Sequence, residues 1–437
     1  MVSDRLGCTY SAADAIGWRS NSLPGLPERG AEMQHVIWQG VSVYTGRMKF
    51  VFASDSFKGT LSSAHICGLL EQAARESHPA AECISLRIAD GGEGTLDAIA
   101  GARSGERIKV GSHDGLMRPV ECEVFVSGDS AFVEAAQPCG LAMLAANERN
   151  PMATSSFGVG ECIAHVLEMG CDHVTIGLGG SCTNDGGMGC LRALGVRFLD
   201  RQGCELAGRG GDMAHVTGID TSGLHPRVAD VRFSIMGDVR NPLLGPNGAT
   251  YVFGSQKGAD TSMLEQLESG MRAYADAVSH ALGDAACSSV PAGRIDFSTP
   301  GYGAAGGLGM ALAAFLNAEM SSGIETLLQW VDFDELIADA DLVVTGEGRL
   351  DSQSLEGKVI DGIAAHANRL GVPVAAICGS IALADVQLKS VGLAAALETS
   401  HGLPIEYAIA HAEETYLRTA RHLFTTVYSS ITSPAAI

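Results

Sequence analysis

The stretch GLGGSCTNDGG, residues 177–187, follows the apolar run HVTI and precedes MGCLRALG, which has helical character. It gathers five glycines with Ser181, Thr183, Asn184 and Asp185. Strand, Gly-rich loop and helix in succession form the unit of parallel sheets with helices on their faces. Three readings compete for the loop: a tight turn, a nucleophilic serine, or a phosphate cradle. The nucleophile elbow requires GxSxG, and Gly179-Gly180-Ser181-Cys182-Thr183 ends in Thr. Backbone amides at a helix N-terminus favour anions, and glycines let a phosphate approach them. Ser181, Thr183 and Asn184 add side-chain donors. Asp185 would repel a phosphate unless it binds Mg2+ or takes a proton from an attacking hydroxyl, and both roles belong to phosphoryl transfer. Capping of the following helix is the equal alternative for Asp185.

The same rhythm surrounds this loop. KFVFAS (49–54) reads as a strand, DSFKGT as its loop, and Ser62 or Ser63 as the cap of a helix running to about Ser77. ECISLRIA (82–89) is a second strand, followed at once by DGGEG. Ligands in such sheets gather beyond the carboxyl ends of the strands, where both loops lie. Residues 120–135 read as a hairpin with a Gly-Asp turn. A helix over 156–169, a strand over 231–239 and a helix over 262–282 follow, then GYGAAGGLG (301–309) and an Ala-rich helix, MALAAFLNAEM. Near 335 the α/β rhythm returns with LIADADLVVTGEG, the helix GKVIDGIAAHANRLG and the strand VPVAAICGS. The organisation expected is one α/β domain from both chain ends, 48–125 plus 335–437, with 126–334 inserted as a second α/β domain. Residues 1–47 carry turn residues (SNSLPGLPERG) and no signal-peptide pattern. They are expected to be an N-terminal extension, disordered or loosely packed, or sequence upstream of a start at Met48. A regulatory arm is the competing reading.

The chain has 437 residues, 46% hydrophobic and 18% charged, as globular proteins do. A net charge of −21 argues against nucleic acid as a partner. It leaves small anions open, because a local Lys or Arg cluster reverses the field inside a cleft. The twelve cysteines are scattered with no CxxC pair, which reads as reduced core thiols in a cytoplasmic protein. No run of 18 or more uncharged apolar residues signals a membrane span. A homodimer stays open.

Other signatures fail or are weak. Gly357-Lys358 has Ser352 where a P-loop needs Gly and Val359 where it needs Ser or Thr. GYGAAGG fits GxGxxG at Gly301, Gly303 and Gly306, yet neither GRIDFSTP before it nor NAEMSSGI before Glu325 reads as the strand a dinucleotide site requires. A Gly-rich helix entry, free to hold an anion or to pack closely, fits it better. Five Gly/acid/base loops remain. They supply Ser56 and Lys58; Asp90, Gly91, Gly92 and Glu93; Gly179 and Gly180 ahead of Ser181; Asp238 and Asn241; and Gly346, Glu347, Arg349, Asp351 and Lys358. Each alone reads as a loop. Together, mostly at strand ends, they suggest one shared site for Mg-nucleotide and a small anionic substrate.

The strings DSFKGTLSS, ADGGEGT, GLGGSCTNDGG, GDVRNPLLGPNGA, FGSQKGA, GAAGGLG and TGEGRLDSQSLEGK stand in the order seen in bacterial glycerate kinases. From about Met48 onward the chain resembles that family, in its glycerate 2-kinase-like type. The resemblance implies a flavodoxin-like or Rossmann-like three-layer domain with a second α/β domain inserted. It implies ATP-dependent phosphorylation of D-glycerate, usually to 2-phosphoglycerate, with ATP and Mg2+ bound in the cleft. Enzymes assigned to 3-phosphoglycerate exist under similar names. This chain writes Cys182 where relatives often have Ala, and Ser-Ile-Ala after Cys378-Gly379 where they are often richer in glycine. The mechanism expected uses Asp185 as the base, with Asp90 second, and Lys58 to balance phosphate charge. Asp238 and Glu347 are expected at the metal or nucleotide, and Arg349 at a carboxylate or phosphate. Other readings are a kinase of another small hydroxy acid, a nucleotide-binding sensor without turnover, and a dehydrogenase resting on GYGAAG alone.

Overall fold

The computed structural model describes residues 35–37, 48–57, 59–283, 295–351 and 358–432. In chain order its strands are β1 (His35–Ile37), β2 (Lys49–Ser54), β3 (Glu82–Ser85), β4 (Glu106–His113), β5 (Pro119–Ser127), β6 (Ser130–Glu134) and β7 (His173–Gly177). A small antiparallel pair follows, β8 (Arg197–Leu199) and β9 (Gly218–Asp220), then β10 (Arg232–Met236) and β11 (Glu319–Ser321). The chain ends through β12 (Leu342–Gly346), β13 (Arg349–Leu350), β14 (Val374–Cys378), β15 (Ser380–Ile381) and β16 (Ala395–Glu398).

Two six-stranded sheets result. The first runs β1-β16-β14-β12-β2-β3. Its neighbours from β16 to β3 pair in parallel, and β1 adds an antiparallel edge. Numbered from β2, the five parallel strands read 2-1-3-4-5 across the sheet. That is the flavodoxin-like order, with the winding reversing between β2 and β12. The second sheet runs β11-β10-β7-β6-β5-β4. It is parallel from β11 to β6 and antiparallel through the β6-β5-β4 meander. The mixed α/β class expected from the sequence is the class found.

The strand sequences explain the layering. Along β2, Phe50 and Phe52 enter one apolar core while Val51 and Ala53 enter another. Leu342 and Val344 alternate with Val343, and Ala375 and Ile377 with Val374, Ala376 and Cys378, in the same way. Both faces are covered, so these strands read as continuous apolar runs. One face meets the helices Ser63–Ser77 and Ala412–His422. The other meets Thr95–Ala102, Gly323–Trp330 and Val359–Leu370. Phe125, Phe132 and Met236 of the second sheet belong to this same core, so the middle helices are shared by both sheets. The far face of the second sheet buries Val124, Val133, Ile176 and Ile235 against Phe157–Glu168, Met188–Ala193, Thr261–Gly283 and Leu308–Leu316.

Local expectations hold at many points. Ser62 caps the first helix, its side chain accepting from the His65 amide, and the helix ends at Ser77. Elsewhere the structure differs. β4 and β5, which a first-domain boundary at 125 would place with the first sheet, pair through the meander into the second, with Val110, Cys122 and Val124 in its core. The strand expected over 82–89 ends at Ser85. The Ala-rich helix stops at Leu316, capped by left-handed Asn317 (φ 53°), and Glu319–Ser321 becomes β11 beside β10. Within the segment 1–47, His35–Ile37 pairs with β16; the rest of that segment, up to Met48, lies outside the described residues. Among the described residues the cysteines are free thiols, buried except Cys83 and Cys204. No described helix is long and apolar enough to cross a membrane.

Trp330 ties the middle layer to the second sheet. Its Nε1 donates to Thr175 Oγ1 at 3.1 Å, and its ring meets Phe132 and Phe125 edge-on, with centroids 6.0 and 6.2 Å away. The Arg103 guanidinium lies over the ring at 5.6 Å. Trp330→Phe keeps most of the packing and loses the hydrogen bond, and is expected to cost about 1–2 kcal/mol in urea unfolding. Trp330→Ala is expected to cost about 3–5 kcal/mol.

Candidate active site

The carboxyl ends of the first sheet's parallel strands open on a cleft of about 1000 Å³. Asp55, Ser56 and Phe57 enter it after β2, and Asp90 and Glu93 after β3. Glu347, Gly348 and Arg349 follow β12, Gly379 and Ser380 follow β14, and Thr399 and Ser400 follow β16. Lys358 lies at the start of the next helix, and Asp238 arrives from the end of β10 in the second sheet. The loops after β2 and β12 flank the reversal of winding, where doubly wound sheets bind ligands. The Asp55 amide donates to Gly346 O at 2.9 Å, which joins these two loops. A Cβ on Gly346 would sit 2.0 Å from Ile377 O, so this expected binding residue serves close packing beneath the cleft.

The acidic end is built by both sheets. The Gly179 amide donates to Gly91 O at 2.9 Å, and a Cβ on Gly179 would lie 2.4 Å from Gly92 Cα. Glu134, at the end of β6, accepts from the amides of Gly94 (3.2 Å) and Leu96 (2.8 Å) and so caps the helix Thr95–Ala102. Burial pushes its carboxyl up, against these two donors. Asp90 Oδ1 accepts from Gly92 N at 3.3 Å, and Asp238 Oδ1 from Gly323 N at 2.8 Å. Desolvation and the Asp90 charge hold the Asp238 carboxyl above its usual range, while Lys358 and Arg240 pull it down. Arg349 Nε stands 3.5 Å from Asp351 Oδ2.

The loop 177–187 has a different job. Asp185 is fully buried and does not line the cleft. Its carboxylate accepts from Ser156 N and Oγ, both at 2.7 Å, and from the amides of Gly187 (3.0 Å) and Gly189 (3.2 Å). The helix Met188–Ala193 thus has its anion already, supplied by the chain itself. This is the capping alternative, and it corrects the expectation of Asp185 as base: no substrate hydroxyl reaches a carboxylate enclosed in this way. Burial raises that carboxyl and the four donors oppose it.

Thr183 and Asn184 are also fully buried, and Ser181 nearly so. Lys257 reaches them from FGSQKGA, its Nζ donating to Thr183 O at 2.6 Å and to Ser181 Oγ at 3.3 Å. Asn184 Nδ2 donates to Thr250 Oγ1 at 3.2 Å. Asn241 Nδ2 binds Asn247 O at 2.8 Å, and its own carbonyl accepts from Gly301 and Gly303, so it braces a loop outside the cleft. A Cβ on Gly306 would sit 2.2 Å from Thr183 O, which makes GYGAAGG a close-packed helix entry.

Ser56, Asp90, Glu93, Asp238, Glu347 and Arg349 all line the one cleft. Gly91, Gly92 and Gly179 form the seam beside them, and Gly180, Ser181, Thr183, Asn184, Asp185 and Asn241 lie outside the lining. Lys58 lies outside the described residues. Sequence reasoning missed Asp55, Glu134, Lys257, Thr399 and Ser400. The acid closing the strand SAFVE and the polar pair after AALE were the available signals for three of them.

Asp185→Ala leaves four donors without their acceptor and is expected to cost about 3 kcal/mol or more in urea unfolding. Lys257 carries a pH signature. Desolvation lowers it to about 8, against roughly 10.4 when unfolded. Between those values the unfolded chain holds a proton the folded chain has lost, so stability rises with pH across that window. The stability of the wild type relative to Lys257→Met is expected to rise by about 1–3 kcal/mol from pH 7.5 to 10, read by denaturant titration at each pH.

Residues 50–428 match the model of the glycerate kinase family. The chain is 40% identical over 379 residues to the glycerate kinase of Bacillus subtilis (strain 168), covering 86% of this chain and 97% of that one. It is 42% identical over 337 residues to the glycerate 2-kinase of Escherichia coli (strain K12), covering 76% and 86%. A crystal structure assigned as glycerate kinase 2 from Salmonella typhimurium LT2 superposes with a TM-score of 0.72 at 39% identity, over 88% of this chain and 99% of that chain. The chain belongs to the glycerate kinase family and is a kinase.

Proposed function

We propose that this enzyme transfers the γ-phosphoryl group of ATP to the C2 hydroxyl of D-glycerate, giving 2-phosphoglycerate and ADP. The observation that carries the reading is the convergence of Asp90, Asp238, Glu347, Arg349 and Lys358 on one cleft at the winding reversal. The name of the Escherichia coli relative, a glycerate 2-kinase, supports the choice of hydroxyl. Phosphoryl transfer asks a protein mainly for positioning and charge neutralisation; the converging loops offer the first, and Arg349 and Lys358 contribute to the second.

In the proposed step a carboxylate oxygen of Asp90 takes the C2 hydroxyl proton. The C2 oxygen forms a bond to Pγ, and the bond from Pγ to the bridging oxygen breaks, leaving its electron pair on ADP. Arg349 presents a planar fork suited to the glycerate carboxylate, and Lys358 a point charge suited to phosphate. Asp238 and Glu347 are the residues that would hold Mg2+. Among the described residues no group of three or more ligands could hold a metal unaided. That fits Mg2+, which usually takes one or two carboxylates together with substrate phosphates. When bound, it would neutralise phosphate charge. The part of the chain built on the second sheet is taken as the inserted domain, whose closure would keep water from the phosphoryl group. The free buried thiols fit a reducing, cytoplasmic setting.

Proton-coupled phosphorus NMR of D-glycerate with Mg-ATP tests this. C2 carries one proton, so a 2-phospho product is a doublet; C3 carries two, so a 3-phospho product is a triplet. A doublet is expected, with kcat about 100-fold lower or more in Asp90→Asn. A triplet would keep the kinase and move the reacting hydroxyl. No product, with ATP binding intact, would turn the reading to another small hydroxy acid.

A further inference from the structure

The cleft is not uniform. Its charged side chains come from the loops after β2, β3, β10 and β12 and from Lys358. Beyond the hydroxyl residues Thr399 and Ser400, the segment after β16 contributes Ile405, Ala408, Ile409 and Ala412. Ile405 and Ile409 are 56% and 55% exposed. Among the described residues they are the only large apolar side chains so exposed that also line this cleft. They stand four apart on the helix Ile405–Ala410 and share one face of it. Phe57 lines the same cleft, held edge-on against Tyr416 with centroids 5.5 Å apart. Thr399 and Ser400 add hydroxyls at this end.

The topology separates the two ends. Loops after β16, β14, β12, β2 and β3 follow one another across the sheet. With strands about 4.8 Å apart, the β16 loop lies roughly 12 Å from the winding reversal and roughly 19 Å from the β3 loop. A ligand filling the cleft meets an apolar surface at one end and, at the other, a charged lining suited to phosphates that carry a divalent cation. Two isoleucines left in water gain by covering an apolar plane.

We propose that Ile405 and Ile409, with Ala408, form the wall on which the nucleobase of the nucleoside triphosphate lies, its phosphates running toward the reversal between β2 and β12. The inference rests on the nucleotide reading above and adds the residues that recognise the base. Both side chains are more than half exposed, so their replacement leaves the core untouched.

The test is calorimetric titration of the full chain, at fixed Mg2+, with ATP and separately with inorganic tripolyphosphate. Ile405→Ser/Ile409→Ser is expected to weaken ATP about tenfold and to leave tripolyphosphate within about twofold, while Ile405→Leu/Ile409→Leu restores ATP affinity. Unchanged ATP affinity in the serine variant places the base elsewhere and overturns this inference alone. Parallel loss of both ligands marks a general change in the cleft and also overturns it. A wild type that binds neither ligand overturns the nucleotide reading and the inference together.

Discussion

The contact between two glycine loops governs the acidic end of this molecule. Gly91 and Gly92, after β3 in the first sheet, press on Gly177 and Gly179 at the end of β7 in the second: a Cβ at Gly177 or Gly179 would fall within 2.6 Å of the backbone of Gly91 and Gly92, and one at Gly91 2.5 Å from Met236 O of β10. Only hydrogen fits there. The Gly179 amide fixes the register through Gly91 O, and Glu134 reaches across from β6 to cap the helix that leaves the loop. Asp90 and Glu93 owe their place in the cleft to this seam. A movement of one sheet against the other is felt first at these carboxylates.

The shared apolar layer makes the seam possible. Middle helices serve both sheets, so Phe125, Phe132 and Met236 join a core otherwise built from the first sheet and its helices. This is also why residues 106–125 were hard to place from sequence. A parallel strand declares its sheet through the βαβ rhythm, as β2, β12 and β14 do. The antiparallel strand β4 carries no such sign, and the hairpin read over 120–135 does not say which sheet it joins. The parallel character of the first sheet was legible because β2, β12 and β14 are apolar runs closed by a Gly or acid loop; its strand order was not.

The residues lining the cleft were legible for the same reason. Ser56, Asp90, Glu93, Asp238, Glu347 and Arg349 each sit just past a strand's carboxyl end, a position readable from local pattern alone. The loop 177–187 misled because its composition is that of a phosphate cradle. What decides it lies far off in the chain: the Ser156 donors and the Lys257 ammonium turn its polar groups inward. The amides that would bind phosphate are already bound to Asp185. Spacing within the loop carries no trace of either partner, so cap and base could not be separated there.

Charge then constrains how the proposed reaction must run. Five carboxylates line the cleft, from Asp55, Asp90, Glu93, Asp238 and Glu347, against the two cations of Arg349 and Lys358 among the described residues. Such a lining repels a bare triphosphate and a bare hydroxy acid alike. Burial raises the Asp238 carboxyl first, and the Asp90 charge adds to it. On the proposed reading countercharge arrives with the nucleotide, as a divalent cation carried on its phosphates, a form that meets two carboxylates without asking for a third. An apolar wall at the far end adds affinity that this field cannot weaken. The cleft thus favours a ligand that brings its own cation and an uncharged plane, and disfavours simple anions that bring neither.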